Sequence, residues 1–173
     1  MRVIIFIVSF VFIVTNGFAQ KNLTGEKGVS SIGGIVGYAI ESEKAVIGID
    51  YRYNILDMIR LAPSVLYVIK KDNADAWYFN ADAHYLARVT EQVTLYPIAG
   101  IGVSAWRYRL LPELQDLLGT RRIDSDVRIG LNLGFGGEIR VTKDIIAGGE
   151  FRYNWTERGY SQAMLLARVA YYF

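Results

Sequence analysis

Cysteine is absent from the chain, which removes disulfides, thiolate metal sites, a cysteine nucleophile and a sulfur-linked lipid anchor together. An excess of charge of either sign is lacking too. The formal net charge is +2, spread without a basic block, so nothing points to a nucleic-acid partner. Beyond the N-terminal region no run is long and apolar enough for a transmembrane helix, so any membrane crossing has to be made by strands. What is present is a composition 52% hydrophobic and 21% charged over 173 residues, enough for one domain and too apolar for disorder. Seventeen Gly and twelve Tyr lean toward β-structure.

The N-terminus reads as an export signal. Arg2 is followed by an apolar run from Val3 to Val14, broken only by Ser9, and Gly17-Phe18-Ala19 sets small residues where a signal peptidase inspects the chain. The run is shorter than the ~20 residues that span a bilayer. The expected organisation is a signal peptide over residues 1–19, a flexible periplasmic leader over 20–28, and one β-barrel domain over 29–173.

From residue 30 onward the chain alternates with a period of two, and eight segments emerge. Ile32, Val36, Tyr38 and Ile40 share one face of the first, and Ala45, Ile47, Ile49, Tyr51 and Tyr53 that of the second, against Asp50 and Arg52. The third sets Ile59, Leu61, Pro63, Val65 and Tyr67 against Arg60 and Ser64, and Pro63 deletes one ladder donor there. The fourth sets Trp77, Phe79, Ala81, Ala83, Tyr85 and Ala87 against Asp82, His84 and Arg88. The fifth runs from Val93 to Ala105, and the sixth opposes Val127, Ile129, Leu131, Leu133 and Phe135 to Arg128, Glu138 and Arg140. The seventh opposes Ile145, Ala147, Phe151, Tyr153 and Trp155 to Glu150 and Arg152, and the last opposes Ala163, Leu165, Ala167, Val169, Tyr171 and Phe173 to Arg168. Connections at Leu56, Glu91 and Lys143 are tight, whereas those on the opposite side are mostly longer and polar.

Strand lengths, the alternation and the one-sided loops predict a closed antiparallel up-and-down transmembrane β-barrel of eight strands. The aromatic residues then fall into two girdles: Tyr38, Tyr67, Trp77 and Trp155 near the long-loop rim, and Tyr51, Tyr53, Tyr85, Tyr171 and Phe173 near the short-turn rim. Trp106 has the wrong phase for the first girdle, which points to a bulge or to a Trp facing a pocket. The longest connection, Arg107 to Ser125, carries Leu110, Leu111, Leu114, Leu117 and Leu118 at helical spacing between Pro112 and Gly119. A short amphipathic helix is expected there, capping the barrel mouth or resting at the lipid interface, and it is the candidate interaction loop.

Inward positions collect Asp50, Arg52, Arg60, Asp82, His84, Arg88, Arg128, Glu138, Arg140, Glu150, Arg152 and Arg168. An eight-stranded barrel is just wide enough for side chains to fill it, and buried charges must pair or keep water. A structural network of Arg–carboxylate bridges is expected, with His84 held by a carboxylate such as Asp82, two residues away on the same face. No Ser stands beside His84 as a nucleophile, so no catalytic, cofactor or metal site is expected. Glycines at 100, 102, 130, 134, 136 and 137 lie in strand phase with no helix following, which argues against a phosphate loop and for tight curvature.

The signal peptide, the eight alternating segments and a terminal strand SQAMLLARVAYYF ending in Phe173 resemble the small outer-membrane β-barrel family of the OmpA transmembrane domain, OmpX and opacity-type proteins. The stretch Leu95-Tyr96-Pro97-Ile98-Ala99-Gly100-Ile101-Gly102, ahead of Trp106, is similar to the fifth strand of such barrels. The resemblance implies a Gram-negative outer membrane, contact with its lipid, recognition of the C-terminal strand by the barrel-insertion machinery, and a surface or envelope protein partner. No peptidoglycan-binding domain follows Phe173, so a cell-wall tether is not implied. A structural or surface-interaction role through the long loops is the first functional reading. A narrow passive channel and a secreted lipocalin-type binding barrel, with the opposite face wetted, are the alternatives.

Overall fold

A computed structural model describes residues 27–71, 74–109, 123–157 and 159–173. The predicted signal peptide, most of the leader and the five leucines Leu110, Leu111, Leu114, Leu117 and Leu118 lie outside the described residues.

Eight antiparallel strands form the wall: β1 Ser30–Ala39, β2 Lys44–Leu56, β3 Ile59–Lys71, β4 Ala74–Tyr85, β5 Val93–Arg109, β6 Ile123–Arg140, β7 Ile145–Thr156 and β8 Gln162–Tyr172. After Leu86, β4 resumes for two residues, Ala87–Arg88, still paired to β5. Each strand bonds to the next in sequence, and β1 also pairs with β8, from Ser31↔Tyr172 to Ala39↔Met164, so no edge is left around the ring. One hydrogen-bonded row can be followed all the way round, through Arg140, Ile146, Ala170, Gly33, Asp50, Ser64, Asn80, Gly102 and Gly130. It returns to β6 at a residue number lower by 140 − 130 = 10, and this stagger obliges the strands to tilt.

The period-two alternation becomes a sharp division between the two surfaces. Ile49, Leu133 and Val169 are exposed on the outside, while the neighbouring Asp50, Asn132 and Arg168 are buried within. A lipocalin-type barrel would wet the other face, and this arrangement excludes it. Every predicted girdle residue points outward, with Trp77 tilted against Tyr67 at 4.8 Å between centroids.

Several local expectations change. At the end of β4 the register with β5 is unbroken, His84↔Ile98 leading to Ala87↔Leu95, so Ala87 keeps its outward phase even though it is buried. Leu86 donates its amide to the Met58 carbonyl at 2.8 Å, which ties the β2–β3 turn to the end of β4. Beside Pro63 the β2–β3 ladder passes from Asp50↔Ser64 to Tyr53↔Leu61 without the two intervening rows, as expected where an amide donor is missing. The strands β5 and β6 continue to Arg109↔Ile123, so both ends of the expected 107–125 connection are strand.

Candidate functional site

The inward face is where the chemically distinctive side chains meet, and three of the strands, β2, β3 and β8, report the same gradient. From the short-turn end, β3 turns Arg60, Ala62, Ser64, Leu66 and Val68 inward; toward that end, β2 runs from Val46 to Asp50, Arg52 and Asn54, and β8 from Met164 and Leu166 to Arg168. The interior therefore has two tiers. An ionic tier fills the short-turn half, and an apolar cluster of Ile35, Val46, Leu66, Val68, Tyr78, Trp106, Met164 and Leu166 lies toward the long loops.

Arg52 is the hub of the ionic tier and is 1% exposed. Its Nε donates to Asp50 Oδ2 at 2.6 Å, Nη2 to Glu150 Oε1 at 2.5 Å, and Nη1 to the Tyr96 hydroxyl at 2.9 Å. Tyr96 passes its own proton to Glu150 Oε1 at 3.0 Å. Arg168 donates from Nε to both oxygens of Asp50, Oδ1 at 2.8 Å and Oδ2 at 2.7 Å, and from Nη2 to Ser31 at 3.0 Å. Arg60 pairs with Glu138, and Arg152 bridges Glu150 and Asp82, both at 3.1 Å. Guanidinium forks suit this duty because one group reaches several acceptors in a plane.

Glycine makes two of these placements possible. A Cβ on Gly33 would come within 2.6 Å of Asp50 Oδ1 and 2.7 Å of Arg168 Nε, and one on Gly136 within 2.6 Å of the Tyr96 ring. These glycines leave room for facing polar side chains, a more particular reason than curvature alone.

A line of amides carries the network past the apolar cluster. Thr156 donates to Asn154 Oδ1 at 2.7 Å, Asn154 to Asn132 Oδ1 at 2.6 Å, and Asn132 to Asp82 Oδ1 at 2.8 Å. Thus Asp82 is occupied by Arg152 and Asn132 and does not hold His84. Instead the imidazole stacks on Tyr96 with centroids 4.7 Å apart, and neither ring nitrogen has a hydrogen-bond partner among the described residues. The expected His84–carboxylate contact is therefore not made.

Three arginines of the predicted interior set stand apart from this network. Arg128 pairs with Asp126 at the long-loop end and lies 3.9 Å from the centre of the Tyr160 ring. Arg88 and Arg140 line the opposite mouth. Trp106, out of phase for the girdle, faces inward against Tyr78, Tyr108 and Tyr160, which resolves it as a buried Trp rather than a rim residue. The upper cluster could have been suspected from Leu66, Val68, Met164 and Leu166, inward-phase positions carrying no charge. Among the described residues no group of His, Asp and Glu is placed to hold a metal.

The sequence profile of the outer membrane protein beta-barrel domain matches residues 11–173. The chain belongs to that family. It is a bacterial outer-membrane protein, and its apolar outer face is the surface turned to lipid. Among solved structures it is similar to the N-terminal β-barrel domain of Pseudomonas aeruginosa OprF, with TM-score 0.64 and 16% identity over 85% of this chain and 98% of that one. It is also similar to Ail, the attachment invasion locus protein of Yersinia pestis, with TM-score 0.62 and 16% identity over 86% of this chain and 100% of that one. Neisserial surface protein A aligns with TM-score 0.56 and 14% identity, over 83% and 92% of the two chains. No curated protein matches the sequence. At these identities the structural likenesses speak for the fold of this outer-membrane barrel, and its particular role rests on its own residues.

Proposed function

We propose that this outer-membrane barrel is non-catalytic and non-conducting, and that it acts as a structural and surface-interaction protein through its long-loop side. The observation that carries the reading is the Arg52 hub, held by Asp50 on its own strand and reaching Glu150 and Tyr96 across the lumen. With side chains from opposite walls bonded to one another, the interior serves as a plug. Among the described residues His84 has neither a nucleophile beside it nor a carboxylate bonded to it, and its role is packing against Tyr96.

The long-loop rim supports the interaction role. The strand β6 pairs with β7 only from Gly130↔Thr156, whereas it pairs with β5 as far as Ile123, so the β5–β6 ribbon rises past its neighbour. Val127 and Ile129 on that rise are 65% and 76% exposed. Exposed apolar residues on a projecting ribbon suit contact with a surface or envelope protein. At the other end, the terminal strand β8 and Phe173 serve as the address read by the insertion machinery.

Planar-bilayer recording of the refolded mature chain tests the plug: the expected result is no steady conductance, and a stable open level would establish the narrow channel instead. Removal of residues 110–122 tests the surface role. The expected result is a barrel that still folds but loses attachment to its surface partner; unchanged attachment and an unchanged envelope would end that part of the reading.

A further inference from the structure

At the short-turn mouth, away from the long loops, a cavity of about 30 Å³ opens among Arg60, Arg88, Arg140, Asn54, Gln92 and Thr94, with Glu91, Glu138 and Tyr172 completing its wall. Its charges are unevenly satisfied. Arg60 is neutralised by Glu138 through two parallel hydrogen bonds of 2.9 and 2.7 Å. Arg88 and Arg140 are half-buried, and among the described residues neither makes an ion pair; Arg140 rests over the Tyr172 ring, 5.3 Å from its centre. Glu91, on the β4–β5 turn, lines the same cavity but bridges neither of them.

We propose that this mouth is a binding site for a single carboxylate group presented from the periplasm, with Arg88 and Arg140 as its ligands. Two guanidiniums that have no anionic partner among the described residues and line one cavity call for an oxyanion, since a half-buried charge gains most from a charge-assisted hydrogen bond. The space selects among oxyanions. A volume of about 30 Å³ accommodates about two water-sized positions, which matches the two oxygens of a carboxylate better than the four of a phosphate. The inward phase of both residues turns them to the lumen at the mouth rather than sideways at lipid headgroups. Gln92 and Thr94 supply neutral polar groups at the same place. A peptide C-terminus and a free small acid share this chemistry, and titration with a dipeptide acid and with acetate separates them; the external surface role neither requires nor predicts either.

The test uses the refolded mature chain in micelles, titrated with N-acetyl-Ala-Ala as the free acid, the same dipeptide as its amide, acetate, and inorganic phosphate. Amide shifts of Arg88, Gln92, Thr94 and Arg140 are followed by NMR. The expected result is a response to the free acid and to acetate at roughly millimolar concentration. Arg88→Gln or Arg140→Gln should each weaken it about tenfold, with the heat-modifiability of the barrel on gels unchanged. Arg88→Lys and Arg140→Lys, which keep the charge without the fork, should fall between, and they serve if a Gln variant fails to fold. Equal binding of acid and amide would overturn the proposal, as would tighter binding of phosphate than of acetate, or no response at the named residues. Each of these results leaves the conductance and attachment tests of the surface role standing.

Discussion

Arg60 and Glu138 lie 78 residues apart and meet face to face, Nη1 donating to Oε2 at 2.9 Å and Nη2 to Oε1 at 2.7 Å. The pair joins β3 to β6 across the lumen, and Arg52 leans on the same carboxylate at 3.4 Å. Glu138→Ala therefore leaves a buried guanidinium without its anion and should cost about 3–5 kcal/mol. Replacing both partners by leucine removes both charges and should cost far less than the single change. Urea unfolding in micelles gives both values; a double variant as damaged as Glu138→Ala would show that the pair itself, and not the stranded charge, supplies the stability.

Gly136 faces the Tyr96 ring while Gly149 faces outward, where a Cβ meets nothing nearer than a backbone oxygen at 3.7 Å. Gly136→Leu should slow or abolish barrel formation, with a loss of about 1–3 kcal/mol or more where folding persists. Gly149→Ala should fold like the parent. Folded and unfolded fractions separate on unheated gels, and equal behaviour of the two variants would contradict the assigned faces.

The outer face makes a depth-dependent prediction. Phe135 sits mid-strand on the lipid side, and Val127 lies on the projecting part of β6. Phe135→Arg should destabilise the barrel by about 2–4 kcal/mol, and Val127→Arg by about 0–1 kcal/mol. Similar costs at the two sites, measured by denaturant titration in lipid vesicles, would mean that Val127 too is within hydrocarbon.

Tryptophan fluorescence separates the girdle from the interior. Trp77 and Trp155 point outward, and Trp106 is packed inside against Tyr78. In single-Trp variants reconstituted with nitroxide-labelled lipid, Trp77 and Trp155 should be quenched strongly and Trp106 weakly. Strong quenching of Trp106 would place it on the outer wall.

Much of this was legible in the chain itself. Ile47, Ile49, Tyr51 and Tyr53 announce an outer face because side chains two apart on a strand share a surface, and charges between them have only the lumen left. Residue phase does not disclose partners, however. Asp50 and Arg168 are 118 positions apart and meet only because β1 pairs on both sides, with Gly33 vacating the space between them. The stagger of ten residues is a property of the closed ring, invisible in any one strand. His84 shows the limit most plainly: its phase relative to Asp82 is as expected, but Arg152 and Asn132 compete for the carboxylate from other strands. The upper cluster was within reach of the same reading, since Leu66 shares the phase of Ser64 and Met164 that of Arg168, but phase alone does not show that uncharged inward residues from different strands meet in one cluster.

The pairing of β1 with β8 has a consequence for biogenesis. The seam of the cylinder is stitched from the two extremities of the barrel sequence, so no portion emerging early can reach its finished shape by itself. A nascent polypeptide must be carried across the periplasm unsealed and kept from sticking to its neighbours until Met164 to Tyr172 has arrived to meet Ser31 to Ala39.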